Sequence, residues 1–324
     1  MRQIGAALHV SAATVCRELK RGTYTYMNAA YIEVPEYIPE RSHQRYRANM
    51  AAKGPGLKIG NHRAYAETLE DLIANQNFSP AAAIHEIENH PEKYGEFGVR
   101  ICRQTLYSYV GKGIFLHLTT KDLPFRGSRQ KKKTQHIHRM KSTSSGDSIE
   151  KRPEKVNRRE EFGHWEMDLV VSCRGGKKCL LVLTERTAPQ EILILIPDKT
   201  RESVVQALDR LERRYGKMFP AIFKTITVDN GGEFSDCEGM ERSVFKSRGR
   251  RTKIYYCHPY CSSERGSNEK QNQMIRRKFP KGTNFDKVSQ KEVKVVEEWL
   301  NSYPRKSLGW KSANDVFQEL IAAI

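Results

Sequence analysis

Residues 163–170 read Gly-His-Trp-Glu-Met-Asp-Leu-Val, and residues 226–234 read Ile-Thr-Val-Asp-Asn-Gly-Gly-Glu-Phe. Each stretch is a short, largely apolar run with an aspartate at its polar end, Asp168 in the first and Asp229 in the second. A third acid, Glu269, opens a helix-like stretch in Arg-Gly-Ser-Asn-Glu-Lys-Gln-Asn, residues 265–272. Because hard cations prefer carboxylate oxygens, acids placed this way can meet at one edge of a sheet and hold a divalent metal ion.

Neighbouring acids compete with this choice. Glu166 lies two residues from Asp168 and shares a strand face with it, since alternate residues of a strand point to the same side. Glu233 and Asp236 compete with Asp229 in the same way. The spacing of the residues by itself leaves these alternatives open.

The pattern around the acids predicts a mixed α/β sheet covered by helices. Strands are expected at 165–172, 178–184, 191–196, 221–228 and 253–257, and helices at 201–215, from 267 onwards and at 290–301.

Composition points to a polyanionic partner. The 324 residues include 56 Lys+Arg against 38 Asp+Glu, a formal net charge of +18, which favours nucleic acid over a membrane surface. No apolar run approaches the length of a membrane span, and the first residues lack the apolar segment of a secretory signal. Seven cysteines, an odd number, suggest reduced thiols. The expected location is therefore the cytoplasm, in association with the nucleoid.

The first twenty residues predict two short helices joined by a tight turn. Ile4 and Leu8 form an apolar i, i+4 pair, Ser11 is a candidate N-cap, and His9 stands in the turn where glycine is common. This arrangement resembles a helix-turn-helix, whose second helix enters the major groove, although any two-helix corner gives a similar pattern. The candidate DNA contacts on the second helix are Thr14, Arg17 and Lys20.

Further helical and basic segments follow. Residues 24–58 are expected to be irregular apart from a basic helix at 41–50, and Ser79-Pro80 predicts the start of another helix. Residues 101–110 form a recognition-type helix with Arg103 as a candidate DNA contact, or a helix that simply packs. Residues 125–141 are basic without an acid. They form either a solvated linker or one that tracks phosphates, the interpretation we favour, with Lys131, Lys132 and Lys133 as DNA contacts.

An ordered set of segments across nearly the whole chain resembles the insertion-sequence transposases of the IS-thirty type, which are DDE transposases with a retroviral-integrase-like, ribonuclease-H-like core. The matching segments are 4–21, 79–80, 105–109, 152–153, 163–168, 227–231, 258–260, 265–269, 279–283 and 304–310. The resemblance implies that Asp168, Asp229 and Glu269 are the catalytic, metal-holding triad. It implies Mg²⁺ or Mn²⁺ as cofactor, with two ions, for cleavage and strand transfer.

By the same resemblance the partners are double-stranded DNA, both terminal inverted repeats and target DNA, and further copies of the chain in a homo-oligomer on DNA. On the Glu269 helix, Asn272, Gln273 and Arg276 share one face, which either positions a DNA strand or is merely solvated. Cys257, His258 and Cys261, with Cys237 upstream, also suggest zinc, but the resemblance favours a loop with buried thiols.

These observations predict a multidomain protein with an all-α helix-turn-helix region followed by an α/β ribonuclease-H-like, integrase-type core. The expected parts are an N-terminal helix-turn-helix that lacks its first helix (1–45), a second helical DNA-binding unit (46–124), a basic linker (125–155) and the catalytic domain (156–324). Three alternatives to a DNA transposase stay open: a sequence-specific DNA-binding regulator, an inactive transposase remnant, and a ribonuclease-H-like nuclease without strand transfer.

Overall fold

A computed structural model describes residues 1–53, 56–124, 146–245, 249–258 and 261–323. The chain forms two compact units, one made of Met1–Glu67 with Phe97–Ile101 and the other of Thr68–Glu96 with Cys102–Ile324. The segment predicted as a second helical unit, residues 46–124, is therefore divided between them. Within the described ranges, no helix is long and apolar enough to cross a membrane.

The first unit contains the two predicted N-terminal helices. Its helices and strands are α1 (Arg2–Ala7), α2 (Ala12–Gly22), β1 (Thr23–Met27), β2 (Glu33–Tyr37), α3 (Pro39–Ala51) and the start of α4 (Arg63–Glu70), which continues as a π-helical turn at Asp71–Asn75. Ser11 caps α2 by accepting the Thr14 N–H, and His9 adopts the left-handed conformation with φ 53°. Ile4 and Leu8, the apolar i, i+4 pair of the sequence, are both exposed, and Gly5 is the buried residue of the six-residue α1.

The expectation of irregular structure is wrong for residues 23–37. They form a two-stranded antiparallel ribbon in which Thr25 pairs with Pro35. Both strands of such a ribbon are edge strands, and an edge strand tolerates a proline because a residue without a backbone N–H can stand where no ladder hydrogen bond is made. Asn28 closes the turn by accepting the backbone N–H groups of Ala30 and Ile32.

The second unit contains the predicted mixed sheet. Its strands are β3 (Asp147–Ser148), β4 (His164–Val170), β5 (Cys179–Glu185), β6 (Glu191–Ile196), β7 (Thr225–Val228) and β8 (Lys253–Tyr256). They lie in the order β3-β8-β7-β4-β5-β6. The β4, β5 and β6 strands pair antiparallel, whereas β7 pairs parallel with β4, β8 with β7, and β3 with β8.

Helices α9 (Arg201–Tyr215), α12 (Gly266–Lys278) and α13 (Gln290–Ser302) pack on the two faces of this sheet. The same unit also contains α5 (Pro80–Asn89), α6 (Pro91–Tyr94), α7 (Arg103–Gly111), α8 (Glu154–Asn157), α10 (Phe219–Ile222), α11 (Cys237–Glu241) and α14 (Ala313–Ala322). Every residue of β5 is buried. Leu181 and Leu183 pack in a core that includes residues of α9, while Leu180 and Val182 pack in a second core with residues of α12 and α13.

The fourth predicted strand is shorter than its apolar pattern suggests. Residues 221–224 are not a strand, because Pro220 lies in the first turn of α10 and the chain becomes extended only at Thr225. Trp165 fixes this turn by donating its indole N–H to the Ile222 carbonyl at 2.7 Å.

The outer strand of the sheet, β6, is covered by side chains of α13. Asn301 accepts the Glu191 N–H and donates to the Glu191 carbonyl, both at 2.8 Å. Glu297 accepts the Leu193 N–H at 2.8 Å. An exposed edge is a template for further strand pairing, so these contacts close the sheet on this side.

We expect Asn301→Leu to lower the free energy of unfolding by about 2–4 kcal/mol, because it leaves two buried backbone groups of Glu191 unpaired. Urea unfolding of the variant beside wild type measures the loss. Glu298→Gln, an exposed change on the same helix, is the control. Equal stability of the two variants would contradict the role of Asn301.

Candidate active site

The strand register brings two of the predicted acids together. In the parallel pair β4 and β7, Trp165 lies opposite Ile226, an offset of 61 residues (226 − 165). The same offset separates Asp168 from Asp229 (229 − 168 = 61). Because neighbouring strands are about 4.8 Å apart, the two carboxylates emerge side by side.

Arg265, the residue before α12, bridges these aspartates. Its Nη1 lies 3.1 Å from Asp168 Oδ1, and its Nη2 lies 2.9 Å from Asp229 Oδ2. The side chain of Arg265 is 14% exposed, against 24% for Asp168 and 38% for Asp229. Burial lowers the pKa of the Arg265 guanidinium, but the negative charges of the two aspartates outweigh burial and raise it. The arginine therefore stays charged and neutralises half of the pair's formal charge.

The remaining oxygens of the pair also accept hydrogen bonds. Asn272 donates its Nδ2 to Asp168 Oδ2 at 2.8 Å, and the Gly231 N–H donates to Asp229 Oδ1 at 2.9 Å. All four carboxylate oxygens thus have a donor, and the side chains of both aspartates are held in place.

Glu269 lies in the first turn of α12, one turn before Asn272, and its side chain is exposed. Within the described ranges, no three His, Cys, Asp or Glu side chains lie close enough together to hold a metal ion. The structure therefore brings Asp168 and Asp229 together and leaves Glu269 on the adjacent helix, outside their cluster.

The competing acids have other partners. Glu166 is fully buried, where it pairs with Arg186 and accepts the Asn268 N–H at 3.0 Å. Glu233 is buried and lies 3.2 Å from Lys199 Nζ. Asp236 caps α11 by accepting the Gly239 N–H at 2.8 Å. Glu166 thus ties the start of α12 to the sheet, and the other two acids make structural contacts outside the strands.

In the predicted Cys/His loop, Cys257 and the upstream Cys237 are buried thiols as expected, whereas the expectation is wrong for Cys261, which is exposed. Burial raises the pKa of the Cys257 thiol to about 12 and also raises the pKa of Cys237. Zinc binds the thiolate form, which such burial disfavours. His258 lies 2.7 Å from Glu264 Oε1 through Nδ1 and 3.2 Å from Glu150 Oε1 through Nε2. The hydrogen bond and charge of Glu264, followed by the hydrogen bond of Glu150, raise the pKa of His258.

The candidate DNA contacts are distributed over three helices. Thr14, Arg17 and Lys20 are exposed on α2, although Thr14 Oγ1 also bonds Ser11 Oγ at 2.9 Å. Arg103 is exposed in the first turn of α7. Arg276 is half-buried on α12 and donates to the Pro280 carbonyl at 3.4 Å. Lys131, Lys132 and Lys133 lie outside the described residues.

Arg265 is difficult to find from sequence alone, because one arginine among so many basic residues carries no distinctive signal. Its spacing from Glu269 is the available clue. Residues four apart lie on the same side of a helix, so an arginine just before a helix and an acid in its first turn face the same region. Asn272 lies on the same face of the helix, which the sequence predicts either to position a DNA strand or to be solvated, and in the structure it binds Asp168.

The chain is similar to known transposases and to a putative integrase. No family model matches the chain. The chain is 36% identical over 216 residues to a probable transposase for the insertion-like sequence element IS1161 of Streptococcus salivarius, covering 66% of this chain and 58% of that protein. It is 31% identical over 178 residues to the transposase InsI for insertion sequence element IS30A of Escherichia coli K12, covering 55% of this chain and 44% of that protein. It is 30% identical over 323 residues to the putative integrase ORF3 of Spiroplasma virus SpV1-R8A2 B, covering 98% and 90%.

The chain thus spans about half the length of the first two relatives, 58% and 44%, and 90% of the third.

The contacts of His258 predict a pH dependence. A histidine whose pKa is raised on folding stabilises the folded state fully below its unfolded pKa of about 6.5, and this stabilisation is lost as the pH rises through the folded pKa. Thermal unfolding of wild type and His258→Gln across pH 5.5–9 should show the larger difference at the acidic end. A difference that stays constant with pH would contradict this assignment.

Proposed function

The chain belongs to the family of insertion-sequence transposases and their integrase relatives, and we propose that it is a DNA transposase that cuts and joins DNA strands at an Asp168, Asp229 and Glu269 site. The observation that carries this proposal is the pair Asp168 and Asp229, held side by side on adjacent parallel strands with α12 alongside. The order of the sheet fits the ribonuclease-H-like, integrase-type core that the sequence predicts, with three antiparallel strands followed by parallel ones.

The aspartate pair is suited to a divalent cation. The two side chains are partly exposed, they already hold one positive group between them, and carboxylates are the ligands that Mg²⁺ and Mn²⁺ prefer. Asp168 and Asp229 would hold the metal, with Glu269 from α12 as the third ligand. Two divalent ions held there would supply Lewis-acid activation of the attacking water or 3′-hydroxyl and charge stabilisation of the leaving 3′-oxygen.

The chain's own residues supply positioning. Asn272 fixes one oxygen of Asp168, and the Gly231 N–H fixes one oxygen of Asp229, so these two side chains are held in place. The first turn of α12, which carries Glu269, also adds a partial positive charge that favours a phosphate. Arg276 lies one turn beyond Asn272 and is proposed to contact the DNA strand.

The proposed partners are the terminal inverted repeats of the element and a target duplex, bound by a homo-oligomer. The exposed residues of α2, namely Thr14, Arg17 and Lys20, are proposed to form the recognition surface of a helix-turn-helix, and Arg103 on α7 a second one. Lys131, Lys132 and Lys133 are proposed to track phosphates between them.

A strand-transfer assay tests the chemistry. Labelled duplexes that end in the element's terminal repeats are incubated with protein and Mg²⁺ or Mn²⁺. We expect Asp229→Asn and Glu269→Gln each to lower joining by about a hundredfold or more, because a charge-stabilising group at the reacting centre is lost.

Glu238→Gln, an exposed change on α11, is the matched control and should join DNA like wild type. Cutting without joining would indicate a nuclease. Specific binding without chemistry in any protein would indicate a regulator or an inactive remnant.

A binding assay tests the recognition surface. We expect Arg17→Ala to weaken binding to the terminal repeat by about 1–3 kcal/mol, because an exposed arginine on a recognition helix contacts bases or phosphates. Fluorescence anisotropy at fixed salt measures the change. Arg158→Ala, which removes an exposed arginine paired with Glu154, is the control. Equal affinity of both variants would argue against α2 as the recognition helix.

A further inference from the structure

The guanidinium of Arg265 lies at the two aspartates where the proposed function places a metal ion. Arg265 reaches both aspartates at 3.1 and 2.9 Å, and its Nη1 also donates to the Met167 carbonyl at 3.4 Å. A guanidinium has a planar fork of donors that matches carboxylate oxygens, so a single arginine can bridge two neighbouring acids. The described structure thus contains a positive group on the oxygens that the proposed function gives to a metal ion.

The aspartate pair needs such a group when it is without metal. Two carboxylates side by side on adjacent strands repel each other. Asn272 and the Gly231 N–H each bind one oxygen of the pair, but both are neutral donors. Arg265 supplies the opposite charge, and with 14% of its side chain exposed it is poorly screened by solvent.

Arg265 is also placed so that it can leave without disturbing the strands. It occupies the N-cap position of α12, and its contacts to Asp168 and Asp229 come from the end of a long side chain. The backbone of α12 is held independently, by the Asn268 N–H on Glu166 at 3.0 Å and by the Ser267 hydroxyl, which accepts from Arg159 at 2.8 Å. Rotation of one side chain is enough to free both carboxylates.

We infer that Arg265 is a positioning residue that holds Asp168 and Asp229 together before metal binds and competes with the divalent cation for their oxygens. The inference rests on the proposed function, since it assumes that these aspartates hold metal. It gives Arg265 two opposing effects: it stabilises the metal-free site, and it weakens the affinity of that site for metal.

The test is a Mn²⁺ titration of the full-length protein without DNA, with free Mn²⁺ followed by electron paramagnetic resonance. We expect Arg265→Gln to bind Mn²⁺ about two- to fivefold more tightly than wild type, because the loss of a partly exposed ion pair corresponds to roughly this factor. Arg265→Lys keeps the charge but reaches a single carboxylate, so its affinity should lie between the two. It also serves if Arg265→Gln fails to fold.

Two controls make the result specific. Arg201→Gln removes an equally charged arginine that pairs with Glu202 at 2.8 Å, and its Mn²⁺ affinity should equal that of wild type. Asp229→Asn should lose the site. Circular dichroism melts in EDTA should show that Arg265→Gln is less stable than wild type without metal.

Each outcome decides the question. Tighter binding by Arg265→Gln that depends on Asp229 supports the inference. Unchanged or weaker binding at a site that Asp229→Asn still abolishes overturns the role of Arg265 and leaves the metal-dependent function standing. No Asp229-dependent Mn²⁺ binding in wild type or in either Arg265 variant overturns the proposed metal chemistry, and the inference with it.

Discussion

The electrostatic repulsion between Asp168 and Asp229 is the constraint on which the site depends. The register of β4 against β7 sets the two aspartates side by side, and that register is fixed by apolar residues such as Trp165 and Ile226 that face the core. The fold therefore cannot separate the two charges without giving up core packing. It balances them with a guanidinium and two neutral donors.

The helix α12 is positioned by a second, buried charge. Glu166 accepts the backbone N–H of Asn268, one residue before Glu269, and pairs with Arg186 in the interior. Removing one partner of a buried ion pair leaves an uncompensated charge, so this arrangement strongly favours one position of the helix start. A residue that competes with Asp168 as a catalytic acid on sequence grounds thus helps to place the helix that carries Glu269.

Helix α13 contacts both the edge strand β6 and the segment of the chain around residues 76–79. The side chains of α13 cover β6. On the same helix the Trp299 indole N–H donates to the Gln76 carbonyl at 3.0 Å, and the hydroxyl of Tyr303, the residue after the helix, accepts the Ser79 N–H at 2.8 Å. His85 on α5 stacks on Trp310 at 4.1 Å. Residues 76–85, which include the start of α5, are therefore part of the same unit as Asp168 and Asp229, which the composition of the chain did not indicate.

The sequence by itself determined the elements with a regular hydrophobic pattern, since β6 and α9 have the predicted bounds. The mixed sheet follows from the order of strands and helices. The sequence also predicted that Asp168 and Asp229 meet at one edge of a sheet, and the structure places Asp168 inside β4 beside Asp229, which directly follows β7. Local patterns failed where a proline changes meaning with context, at Pro35 in the ribbon and at Pro220 before β7. Only the tertiary structure decided which charges meet, because Arg186 is 20 positions from Glu166 and Arg265 is 36 positions from Asp229 and 97 from Asp168 (265 − 168), separations over which periodicity carries no signal.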